Sequence, residues 1–160
     1  MPKQVLKAGA IQMIIPETLA EVQVTYSTKI AAKDRFKITC SADVAKVFRQ
    51  IWPSFEHVEY FYILLLNRAN HVLGYHQVSK GGISGTVVDQ KVIFQVALKC
   101  HASNIILAHN HPSGNTDPSY ADKEVTQKAK EVGKILEIPV IDHLILTESD
   151  YYSFADEGLL

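Results

Sequence analysis

Two histidines, a serine and an aspartate fall within one stretch, HNHPSGNTDPSYAD, at positions 109–122. Their types and spacing suit metal chemistry. Residues two apart in extended backbone point to the same side, so His109 and His111 can turn both imidazoles toward one ion. Imidazole is a good ligand for zinc, and two histidines with one carboxylate leave the fourth tetrahedral position open to water. Asp122 is placed to supply that carboxylate: the turn PSGN reverses the chain, and a helix starting near Ser119 brings its first turn back. The same letters have a plainer use, because Ser119-x-x-Asp122 is also a capping-box pattern that needs no metal. Taken alone the cap is favoured, since caps are frequent and metal sites rare. The joint pattern is much rarer by accident: H-x-H, seven residues, then S-x-x-D, in one strand–turn–helix unit.

Such a unit needs a buried strand ahead of it and a packed helix behind it. NIILA (104–108) is a short apolar strand, and the carboxyl ends of strands are where open α/β sheets place ligand sites. YADKEVTQKAKEVGKIL carries Val125, Ala129, Val132 and Leu136 at helical spacing, and Pro139 ends it before a further strand, VIDHLIL (140–146). Upstream, EYFYILLLN (59–67) is a near-continuous apolar run, as in a strand buried on both faces. The turn NRAN leads to a second strand, HVLGYHQVS (71–79). Ser41 reads as the N-cap of a helix presenting Val44, Val47, Phe48 and Ile51 on one face, closed by Pro53. Asp89 caps another, with Val92, Ile93, Val96, Ala97 and Cys100 along its apolar face. The glycine-rich KGGISGT (80–86) lacks a P-loop ending and reads as a flexible connection. Residues 21–30, EVQVTYSTKI, alternate Val22, Val24 and Tyr26 with polar neighbours, which predicts a half-buried strand. The first 20 residues have no clear period. The division predicted is an N-terminal extension with one strand over 1–35 and a domain over 36–160. The fold class is mixed α/β, a largely buried central sheet with helices on its faces.

Composition narrows the function classes. With 47% hydrophobic and 21% charged residues, the 160-residue chain can build one core without disulfides. A formal net charge of −1 supplies no global field toward nucleic acid or an anionic membrane, although a local patch stays open. Cys40 and Cys100 are scattered thiols suited to a reducing cytosol. No segment approaches the roughly 20 apolar residues of a membrane span, and the N-terminus lacks a signal-peptide core, so a cytoplasmic protein is expected.

His109-x-His111, the seven-residue gap and Ser119-x-x-Asp122 resemble the JAMM signature of JAB/MPN-domain zinc metalloproteases. ILAHNHPSGNTDPSYAD, with IPVIDHLIL and YYSFADEGLL, resembles the RadC subfamily of bacterial JAB domains over about 36–160. The resemblance implies a fold related to cytidine deaminases, and zinc held by His109, His111 and Asp122. It implies an upstream glutamate as well. Glu59 heads the buried strand where RadC-like sequences carry theirs, and Glu56, three residues earlier, is the competitor. Amide hydrolysis of a peptide or isopeptide is the reaction implied. Glu59 would act as general base and Ser119 as hydrogen-bond donor to the oxyanion.

A ligating histidine usually needs an acceptor for its other nitrogen, and Asp142 is the candidate. Asp122 is expected to be committed to metal rather than cap. His143 reads as a packed, hydrogen-bonded strand residue, His57, His71 and His76 as surface or turn residues, and His101 as a helix-end residue. Two other functions compete. RadC-like proteins carry a DNA-repair label, which makes a nucleic-acid-binding module the alternative; the chain lacks room for the helix–hairpin–helix region of longer RadC proteins. An inert partner-binding scaffold is the other, against which every motif position is filled.

Overall fold

The computed structural model describes residues 22–81 and 87–160. The first 20 residues and most of the 80–86 connection, read above as an extension and a loop, lie outside them. Five strands and three α-helices follow in the described chain: α1 (Ser41–Ile51), β1 (Tyr60–Leu66), β2 (Val72–Lys80), α2 (Gln90–Lys99), β3 (Asn104–Asn110), α3 (Tyr120–Ile135), β4 (Val140–Leu146) and β5 (Tyr151–Ser153). They form one sheet in the order β2-β1-β3-β4-β5. β1 runs antiparallel to both β2 and β3, β3 and β4 are parallel, and β5 returns antiparallel to β4. The parallel pair is joined through α3, as a parallel connection requires.

Strand parity divides the core. On one face Tyr62, Leu64, Leu66, Ile106, Ala108, Leu144 and Leu146 pack under α1, through Val44, Ala45 and Phe48. On the other, Phe61, Ile63, Leu65, Ile105 and Leu107 meet Ile93, Phe94 and Ala97 of α2 and Ala129 of α3. β1, β3 and β4 are thus covered on both sides, which is why their sequences are continuously apolar. Each such Leu, Ile or Phe contributes about 1.5–3 kcal/mol on full burial.

Local chemistry sets the helix ends. Asp89 caps α2 by accepting the Lys91 N–H, as its sequence predicts. Ser41 departs from its expected role: Cys40 is the N-cap residue, and it makes no side-chain cap bond. Asp43 reaches back instead to the Thr39 N–H at 3.0 Å and hydroxyl at 2.6 Å. That frees the Ser41 hydroxyl to donate to Asp156 at 2.6 Å. Gly133 lets the chain after α3 fold back, since a Cβ there would stand 2.5 Å from the Ile138 carbonyl oxygen.

The strand expected over 21–30 is not formed by its described residues, 22–30. Val22 and Val24 are 86% and 71% exposed. The contact there is the Tyr26 hydroxyl, which donates to the Leu73 carbonyl at 3.1 Å. Alternation reports a side-chain pattern, whereas a strand also needs a hydrogen-bonding edge beside it. Pairing begins further on, just ahead of β2, where Lys37 bridges His71. β5 has no counterpart in the sequence reading; three residues are too few to show a period.

Candidate metal centre

β3 delivers both histidines. His109 is its penultimate residue and faces the α2/α3 layer, 3% exposed and stacked on the Phe61 ring at 5.9 Å. His111 lies just past the strand, held by its N–H on the Leu146 carbonyl at 3.2 Å. The turn after it brings the Asn115 carbonyl to 2.6 Å from His111 Nδ1. A carbonyl only accepts, so Nδ1 carries a hydrogen and Nε2 is the nitrogen turned toward the site. Asp122 comes from the first turn of α3.

The three side chains converge. His109 Nε2 is 3.0 Å from His111 Nε2 and 3.0 Å from Asp122 Oδ1, and His111 Nε2 is 3.4 Å from Asp122 Oδ2. Their ligand atoms all lie within 4.8 Å of one another, so the group could hold a metal ion. The donor set fits a metal: imidazole nitrogens and a carboxylate oxygen turned on one another call for a cation among them. The His111 pKa is raised, chiefly by its hydrogen bond to Asp122 and against the effect of burial. Burial pushes the Asp122 carboxyl up, but the hydrogen bonds from His109 and His111 outweigh it and hold Asp122 well below the usual carboxylate range.

Cap and metal-binding geometry coexist on Asp122, contrary to the expectation that they compete. Oδ2 accepts the Ser119 N–H at 2.7 Å while Oδ1 faces His109. Ser119 Oγ accepts the Asp122 N–H at 3.2 Å, completing the capping box and leaving its own hydrogen free to donate. A carboxylate has acceptor positions enough for both duties.

Glu59 precedes β1, its carbonyl accepting the Gly81 N–H at 2.8 Å. Phe61 pairs with His109 at the end of the antiparallel ladder, so Glu59 stands two residues ahead of the partner of a site histidine. Its charge contributes to raising the His111 pKa. Glu56 lies in the preceding bend, exposed and 3.4 Å from His57. Sequence reasoning passed over Asn110, the middle letter of HNH. It points to the α1 side, fully buried, accepting the Tyr60 N–H at 2.8 Å and donating to the Val58 carbonyl at 3.0 Å. Asn110 therefore ties the turn that leads through Glu59 to the strand carrying the histidines.

The acceptor expected for a ligating histidine was Asp142, and the structure gives His143 that contact instead. His109 Nδ1 is 2.8 Å from His143 Nε2, and His143 Nδ1 is 2.7 Å from Thr126 Oγ1. Burial pushes the His143 pKa well below its ordinary value, so His143 is neutral. Asp142 faces the opposite layer, where it accepts the Ser153 hydroxyl and the His143 and Ala155 N–H groups. Parity was the signal. Leu107 pairs with His143 and Ile106 with Asp142, so beyond the register shift at Ile141 the odd residues of β3 and β4 share a face with His109.

A histidine pair at a strand end and an aspartate in a helix cap, on a mixed sheet between helix layers, define a JAB/MPN-type domain. The chain belongs to the RadC-like JAB domain family, whose family model matches residues 38–159. Among similar curated proteins, the UPF0758 protein of Flavobacterium johnsoniae is 48% identical over 123 residues, 77% of this chain and 53% of its own length. The UPF0758 protein of Salinibacter ruber is 39% identical over 127 residues, 79% of this chain and 54% of its own. UPF0758 protein NTHI1125 of Haemophilus influenzae is 39% identical over 118 residues, 74% and 53% of the two lengths. The chain spans about half the length of these relatives. Among the described residues no helix is long and apolar enough to cross a membrane.

Proposed function

We propose that the protein is a zinc-dependent peptidase or isopeptidase acting on a peptide or protein substrate in the cytoplasm. The observation that carries this reading is the convergence of His109, His111 and Asp122 within 4.8 Å, with the Glu59 charge acting on His111. Zinc held by these three residues would supply Lewis acidity and bring the pKa of a water toward neutrality. Glu59 accepts the proton of the attacking water and returns it to the leaving amine. Ser119, whose hydroxyl hydrogen the cap leaves free, donates to the carbonyl oxygen as negative charge develops on it. Cys40 and Cys100 are free thiols, which suits a reducing compartment.

Elemental analysis of the purified, untagged chain tests the metal assignment. About one zinc per chain is expected for the wild type, and none for His109→Ala or Asp122→Ala. Digestion of a peptide library, read by mass spectrometry, tests the chemistry. Glu59→Gln should keep its zinc and lose turnover by about 10²–10⁴-fold. Full cleavage by Glu59→Gln would remove Glu59 from the base role. A wild type that takes up no zinc on incubation would remove the peptidase reading altogether.

A further inference from the structure

We infer that Thr126 and His143 are positioning residues that fix the ring of His109 in the one tautomer able to bind a metal through Nε2. The inference rests on the metal reading above. Its basis is a buried chain of hydrogen bonds whose directions follow from one another.

The chain starts at an atom with no choice. The Asp122 main-chain carbonyl can only accept, and Thr126 Oγ1 lies 2.6 Å from it, so the single hydroxyl hydrogen of Thr126 is spent there. Thr126 Oγ1 must then accept from its other neighbour, His143 Nδ1, at 2.7 Å. His143 in this state carries its hydrogen on Nδ1 and presents a bare Nε2. That nitrogen stands 2.8 Å from His109 Nδ1, which must therefore carry the hydrogen and donate. His109 Nε2 is then the ring nitrogen turned to Asp122 and His111, the one a metal would take. His111 reaches the same state separately, through the Asn115 carbonyl.

Burial makes the order of donors costly to disturb. Thr126 is 2% exposed, His143 0% and His109 3%. Phe154 stacks on His143 at 4.8 Å and Phe61 on His109 at 5.9 Å, so each ring is also held in plane. In such a site a donor that loses its acceptor has no water to turn to. The sequence origin is compact. Thr126 follows Asp122 by four residues on α3, so one helix face carries both a metal-binding carboxylate and the first link of the chain.

The test has a readout that does not depend on catalysis. In zinc-free wild-type protein labelled with ¹⁵N-histidine, two-bond ¹H–¹⁵N spectra should show a hydrogen on Nδ1 of both His109 and His143. A His109 with no hydrogen on Nδ1 overturns the inference. Zinc affinity, measured by competition with a chromophoric chelator, gives the second arm. Thr126→Val and His143→Leu should weaken zinc binding by about 10–100-fold. Thr126→Ser keeps the hydroxyl and His143→Gln keeps an acceptor for His109 Nδ1, so both should stay within about threefold of wild type, given ordinary context dependence. Wild-type affinity in Thr126→Val overturns the positioning role even where zinc binds. A wild type that binds no zinc instead sinks the metal reading, while the tautomer spectra still decide the direction of the hydrogen-bond chain.

Discussion

At the scale of single residues, the two neighbours Asp142 and His143 illustrate how burial and partners set a group's worth. Asp142 accepts the His143 and Ala155 N–H groups on Oδ1, at 2.7 and 3.1 Å, and the Ser153 hydroxyl on Oδ2 at 2.7 Å. Burial raises its pKa in spite of those three bonds. The folded state therefore binds the Asp142 proton more tightly than the unfolded chain. Its contribution to stability is fully present below the ordinary value of 3.8 and is lost as pH rises through the raised one. Melting temperature against pH should show this fall, and Asp142→Asn should remove it. The asparagine can keep Oδ1 for both N–H groups and donate to Ser153 Oγ, so near neutral pH it should cost under about 1 kcal/mol. Asp142→Ala orphans two buried donors and should cost about 1–3 kcal/mol. Equal melting temperatures for the two variants would contradict this account.

At the scale of elements, the two ends of α3 do different work. Its N-terminal turn joins a cap to a candidate metal ligand, and its C-terminal turn is shaped by Gly133. Alanine in a helix is worth about 1 kcal/mol over glycine, but here its Cβ would meet the Ile138 carbonyl oxygen at 2.5 Å. The clash wins, and Gly133→Ala should lower stability by about 1–3 kcal/mol in a denaturant titration. A gain would mean the backbone after α3 gives way easily. The elements were legible where burial is two-sided: the apolar runs at 59–67, 104–108 and 140–146 closely match β1, β3 and β4. Val22, Val24 and Tyr26 misled because a period of two says nothing about a neighbouring edge. His109, His111 and Asp122 could be named from spacing and resemblance. The partner of His109 was missed by one position, since choosing Asp142 over His143 followed charge and ignored which layer each strand residue faces.

At the scale of the whole molecule, a sheet covered on both sides lets consecutive residues act in separate places. His109 enters the α2/α3 layer, Asn110 enters the α1 layer, and His111 leaves past the strand end. The turn from Pro112 to Pro118 lies at the surface, with Pro112 to Asn115 exposed, and its flanks carry His111 and Asp122. An ion gripping both flanks would therefore behave as a reversible cross-link. It would close a short ring of main chain and withhold from the unfolded chain a freedom worth on the order of 3 kcal/mol, by analogy with a disulfide around a similar ring. Exposed turns are where proteases nick, so occupancy should be readable as resistance. Zinc should slow cleavage between 112 and 118, a chelator should restore it, and Asp122→Ala should be cut equally fast with or without the metal. If the proposed ion is bound, the ring that shields the turn would open whenever it departs, and the lifetime of this chain in a proteolytic environment would become a function of free metal concentration.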